Sequence, residues 1–137
     1  MRANSDLGLM MPEVRLFHSR KKFKKYYKKQ YGEKPELFDT EGQMTYRDGE
    51  ALVLMTYVGR EESELGLLVH EAYHAAVAHM TFLGEDEAGE ETMAYLIQSI
   101  SHGLFVAHRK WKRRKGPGRI GPSHHLASRT TGRNRWA

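Results

Sequence analysis

Residues 65–80, LGLLVHEAYHAAVAHM, place the tightest constraint on how this chain can fold. The stretch is apolar enough to be a buried helix, yet His70, Glu71 and His74 sit in its middle. Helical spacing sets the two histidines one turn apart, so both imidazoles leave the helix on the same side. An ionisable side chain is costly to bury unless it is paired or bound to a metal. The fold must therefore bring a polar partner or a metal ion to that side of the helix.

Composition narrows the choice. The chain has 137 residues and no cysteine. That length suits one domain with a modest core. Without cysteine there are no disulfides, thiol nucleophiles, Cys-ligated zinc sites or iron–sulfur clusters. Any metal must use histidine and carboxylate. Apolar residues at 39% and charged residues at 28% lie in the globular range. The opening MRANSDLGLMM carries Asp6 and lacks a sustained apolar run, unlike a signal peptide. The apolar stretches around 51–58 and 65–83 are interrupted and too short to span a bilayer. The expectation is a cytoplasmic chain with no membrane segment.

Local patterns predict an α+β order. PEVRLFH, 12–18, reads as a short strand. SRKKFKKYYKKQY, 19–31, reads as a helix capped by Ser19 and stopped by Gly32, with Phe23, Tyr26, Tyr27 and Tyr31 on one face. Pro35 marks a break. Glu41-Gly42 and Asp48-Gly49 are turn signals around a strand at 43–47, and the apolar run 51–58 reads as a buried strand. Residues 61–80 form a long helix with Ser63 or an earlier acid near its start. Residues 90–108 form a second long helix after an acidic loop. From 112 onward the chain is rich in glycine, proline and arginine and reads as a flexible basic tail. The expected organisation is a flexible 1–11, a domain at 12–111 and the tail at 112–137.

HEAYH has the spacing of a zinc site in which two histidines bind the ion and the glutamate between them faces a water as general base. A third ligand is expected from the next helix. Glu85, Asp86 and Glu87 fall in the acidic turn, where solvation is the simpler account. Glu91 heads a line of Glu91, Tyr95, Gln98 and His102 down one helical face, beside the apolar side. Glu90 points about 100° away and suits a cap or a solvated position. The set His70, His74 and Glu91 leaves a fourth position open, as a catalytic zinc centre requires. Tyr95 and His102, and Tyr73 on the motif helix, are candidate donors to a developing oxyanion. His79 falls on the other side of the motif helix, and His124 and His125 fall in the tail.

HEAYH (70–74), GEDEAGE (84–90) and ETMAYLIQSI (91–100) together resemble the gluzincin branch of zinc metallopeptidases. More narrowly they resemble the small metallopeptidase-like proteins of tailed bacteriophages and prophages, over roughly residues 14–108. The resemblance implies a minimal zincin-like α+β domain. Its small, mainly antiparallel sheet would pack on an active-site helix and a following glutamate helix. It also implies Zn²⁺ held by His70, His74 and Glu91, with Glu71 as base, a peptide or protein substrate, and a host-cytoplasmic location if the chain is phage-encoded.

The formal charge of +5 is concentrated at the two ends. RKKFKKYYKK, 20–29, holds seven of the 22 Lys and Arg residues, ten more follow from Arg109, and no Asp or Glu occurs after Glu91. Such ends suit polyanion or nucleic-acid contact through the Lys-rich helix and the tail. No zinc-finger, helix-turn-helix or glycine-rich phosphate motif accompanies them. Two alternatives to a hydrolase follow: a metal-stabilised phage assembly protein without turnover, and a basic nucleic-acid-binding protein.

Overall fold

The computed structural model describes residues 11–85 and 89–119, without the side chains of 116–119. Strand β1 spans Glu13–Phe17, helix α1 Arg20–Tyr31, β2 Gly42–Arg47, β3 Glu50–Met55, α2 Glu61–Phe82 and α3 Glu90–Arg119. The fold is α+β, with a three-stranded sheet in the order β1-β3-β2. It is mixed, where a mainly antiparallel sheet was expected. β1 runs parallel to β3, and β2 runs antiparallel to it. The parallel pair follows from the chain crossing over through α1 before β3 enters between the other two strands.

The hairpin is built where the sequence signals it. Asp48 and Gly49 both have positive φ, 48° and 85°, as a tight two-residue turn between twisted strands requires. α1 also starts and stops as expected: the Lys22 amide donates to Ser19 Oγ, and Gly32 closes the helix at φ 71° with its amide on the Lys28 carbonyl.

β3 is buried along its whole length, and its alternation divides the core in two. Ala51, Val53 and Met55 face a cluster with Leu68, Ala72, Ala75 and Ala76 of α2 and Leu96, Ile100 and Leu104 of α3. Leu52 and Leu54 face Phe23 and Tyr27 of α1. A strand covered on both faces reads as a continuous apolar run. α1 is held by more than its apolar stripe. Tyr26 and Tyr31 hydroxyls donate to the Glu50 carboxylate, which also accepts from Arg15. Burial pushes the Glu50 carboxyl up, but these three donors outweigh it and hold it below its ordinary value.

Ser63 does not cap α2. The N-cap is Arg60, which makes no side-chain cap bond, and the first turn carries Glu61, Glu62 and Glu64 instead. Glu64 turns inward, and its side chain is wholly buried. It accepts from the Gly59 amide, His108 Nε2 and Lys112 Nζ, each at 2.8 Å. These contacts also carry α3 past the expected end at 108, through Arg119. Leu104, His108, Trp111 and Lys112 recur at helical spacing toward the protein, so the first part of the expected tail is helix. Residues 120–137, including His124 and His125, lie outside the described residues, as do 1–10. Among the described residues no helix is long and apolar enough to cross a membrane.

Burial raises the Glu64 carboxyl, but the donors from His108, Lys112 and Gly59 outweigh it and leave the group below its ordinary value of 4.5. A depressed carboxyl stabilises the fold fully above that value and loses its contribution as pH falls through the folded one. Glu64→Ala is expected to cost about 3–5 kcal/mol in urea unfolding near neutral pH, because it strands the buried donors. The cost should shrink in acid. Glu61→Ala, which removes only the exposed pair with Arg109, should change stability by less than about 1 kcal/mol.

Candidate functional site

α2 buries Leu67, Leu68, Glu71, Ala72, Ala75 and Ala76 against the sheet and α3, and leaves His70 and His74 exposed on its flank. The short alanine side chains let the helix lie close to its neighbours. His70 Nε2 and His74 Nε2 approach to 3.2 Å, with the rings near perpendicular at 78°. Two imidazole ligands of one tetrahedral zinc ion, each about 2.0–2.1 Å from the metal, stand about 3.3–3.4 Å apart. The pair is therefore converged as one ion would need, although the same distance also suits an N–H···N bond between the rings.

A groove opens beside the pair, between α2 and the start of β2. Two adjoining hollows of about 470 and 450 Å³ share Thr40, Gly42, His70 and Glu71. Phe38, Tyr73 and Val77 give the second an exposed apolar rim. Glu71 is only 4% exposed. Burial pushes its carboxyl above the ordinary value, against the pull of His70 and His74. Gly42 is what lets β2 come this near. A Cβ there would stand 2.8 Å from Leu67 Cδ1 and 3.1 Å from Glu71 Oε2.

The other expected site residues line different hollows. Glu91 is exposed in the first turn of α3 and shares a hollow with Ala94, Tyr95 and Gln98. Tyr95 and His102 line another with Val69, Ser101 and Phe105. Neither hollow shares a lining residue with the groove. Among the described residues no group of three or more His, Asp or Glu is gathered to hold a metal ion. Of the expected site residues, His70, Glu71 and His74 line one groove, and Glu91, Tyr95 and His102 line the two hollows on α3. Glu85 is exposed after the α2 turn, and Asp86 and Glu87 lie outside the described residues. His79 is buried on the far side, its Nδ1 2.6 Å from the Tyr46 hydroxyl.

Two neighbours of the pair were not read as site residues. Glu41 lines the groove with His70 and Glu71, and Phe38 forms its rim. Their only sequence signal was the Glu41-Gly42 turn cue, which says nothing of the helix they will face. Tyr73, the third candidate donor, is placed at the pair, its ring 5.7 Å from that of His74.

Comparison of the chain with protein-family models, curated proteins and solved structures found no match.

Gly42→Ala should lower stability by about 1–3 kcal/mol, since the new methyl must displace Leu67 or Glu71. In Gly103→Ala the added Cβ meets nothing within 4 Å, and α3 should gain about 0.5–1 kcal/mol. Urea unfolding of both variants measures the contrast. Equal tolerance at the two positions would mean that β2 does not press on α2 at Gly42.

Proposed function

We propose that this chain is a zinc-dependent hydrolase of peptide or related amide bonds. The observation that carries the reading is the 3.2 Å approach of His70 Nε2 and His74 Nε2 at a groove lined by the Glu71 carboxyl. His70 and His74 would hold the metal. Glu91 is the third ligand on this reading, and its variant tests that assignment directly. The finer description, a minimal zincin of gluzincin type like those of tailed phages, rests on HEAYH, ETMAYLIQSI and the order of elements before them.

Zinc in such a site supplies Lewis acidity, which acidifies water and polarises a carbonyl. Glu71 takes the proton of the attacking water and returns it to the leaving amine. Its position in the groove directly beside both histidines suits that shuttle. Tyr95, His102 and Tyr73 are the candidate side-chain donors to the developing oxyanion, and Tyr73 stands at the rim of the groove. An extended peptide suits the groove for a further reason. β2 is an edge strand, and unpaired strand edges accept extended chains through backbone hydrogen bonds. The segment before β2 is held by side chains: Gln43 bonds the Glu36 carbonyl and the Phe38 amide, and Arg20 donates to the Phe38 and Thr40 carbonyls.

The full chain should retain one zinc after dialysis, and His70→Ala or His74→Ala should release it. Glu91→Gln should weaken zinc by more than the roughly 10- to 100-fold that outer-shell partners are worth. Glu71→Gln should keep the metal and the fold while slowing hydrolysis of a mixed peptide library by roughly 10²- to 10⁴-fold. Failure to bind zinc at all defeats the proposal, and an unchanged rate in Glu71→Gln removes that residue from the mechanism. Loss of zinc in Glu41→Gln but not in Glu91→Gln would transfer the third ligand to the groove wall.

A further inference from the structure

The two basic runs, far apart in the sequence, meet at one cavity of about 370 Å³. Lys22 reaches it from α1, and Lys110, Arg114 and Lys115 reach it from the last turns of α3. No Asp or Glu lines it. Among the described residues none of these four cations belongs to an ion pair. α1 also opens here, at Ser19, which adds the positive end of its dipole.

Between these cations the cavity is lined by His18 and Trp111. His18 stacks on Trp111 with ring centroids 3.7 Å apart and planes within 5°. His18 Nε2 is hydrogen-bonded to His108 Nδ1 at 2.9 Å, and His108 is bonded in turn to the buried Glu64. Burial chiefly holds the His18 pKa down, at about 3, with His108, Lys115 and Arg114 adding to the effect against the pull of Glu64. His18 thus adds no charge, and the surrounding cations have no counter-charge in the cavity.

We propose that this cavity is a binding site for a phosphate group. Four cations without a carboxylate select an anion by charge. Lys and Arg together suit an oxyanion that can accept from several donors. Base recognition by stacking does not enter, because His18 covers one face of Trp111 and Lys115 Nζ lies 4.8 Å from the centroid of the same ring. The chain's own continuation is not the occupant: after Glu91 it contains no Asp or Glu, and it adds Arg129, Arg133 and Arg135. The chain's formal charge of +5 favours a phosphate carried on a nucleic-acid strand over a free one. The site is independent of the histidine pair.

The full chain, carrying Trp136→Phe so that Trp111 supplies the only indole signal, is titrated by NMR. The probes are a short single-stranded oligodeoxynucleotide and, separately, inorganic phosphate. Saturable shifts of the Trp111 and His18 ring signals are expected with the oligonucleotide at concentrations where inorganic phosphate has little effect. Saturation by inorganic phosphate alone would also establish the site and assign it to a free phosphate. Lys22→Gln with Arg114→Gln should weaken oligonucleotide binding about tenfold or more and reduce the slope against log salt by about 1.4, for two lost contacts. Lys28→Gln with Lys29→Gln removes the same charge from the far end of α1 and should leave the slope nearly unchanged. Equal losses in the two pairs, or binding that leaves the Trp111 and His18 signals unmoved, would overturn the proposal.

Discussion

Glu64 has no contact with solvent, and its carboxylate is met by donors from three parts of the chain: the Gly59 amide, His108 and Lys112. A buried carboxylate is tolerable only when its lone pairs are this well occupied. Satisfying them ties the loop after β3 to the first turn of α2 and to the far end of α3. Through His108 the same chain of bonds reaches His18, at the junction of β1 and α1. The whole length of α2, including the flank that carries the histidine pair, is oriented from that anchored end.

Against this anchor the sheet acts as a divider. β3 sends alternate side chains to α1 and to the α2–α3 pair, so neither face is free to take water. β2, at the edge, is pressed onto α2 at Gly42, where no side chain intervenes. The groove exists because of that close approach: a strand edge forms one wall and a helix flank carrying two histidines the other. Apolar burial supplies most of the stabilisation here. The absence of one Cβ decides the shape.

Positive charge and candidate chemistry are kept apart. The groove holds His70, Glu71 and His74 with Glu41 nearby, and no Lys or Arg lines it. The cavity between α1 and the end of α3 holds cations and no carboxylate. α2 is common to both, since it carries the histidine pair on one flank and Glu64, at the root of the His108–His18 chain, in its first turn. The separation keeps the lysine-rich helix from pairing with the carboxylates of the groove.

Much of this was legible in the sequence, for local reasons. Ser19 and Gly32 bound α1, Asp48-Gly49 makes the hairpin, the apolar run read at 51–58 holds the doubly covered strand, which ends at Met55, and His70 and His74 share a helical flank. Caps, turns and periodicity depend on residues within a few positions of one another, so they can be read along the chain. What the tertiary structure decided concerns angles between elements. Which side chains of α3 share a hollow with Val69 is set by how Leu96, Ile100 and Leu104 pack in the core with α2. The continuation of α3 past 108 was hidden because glycine, proline and arginine suggested a tail, while a buried glutamate at the start of α2 was waiting for Lys112. A helical wheel shows which side chains share a face; only the packed core fixes which neighbour that face meets.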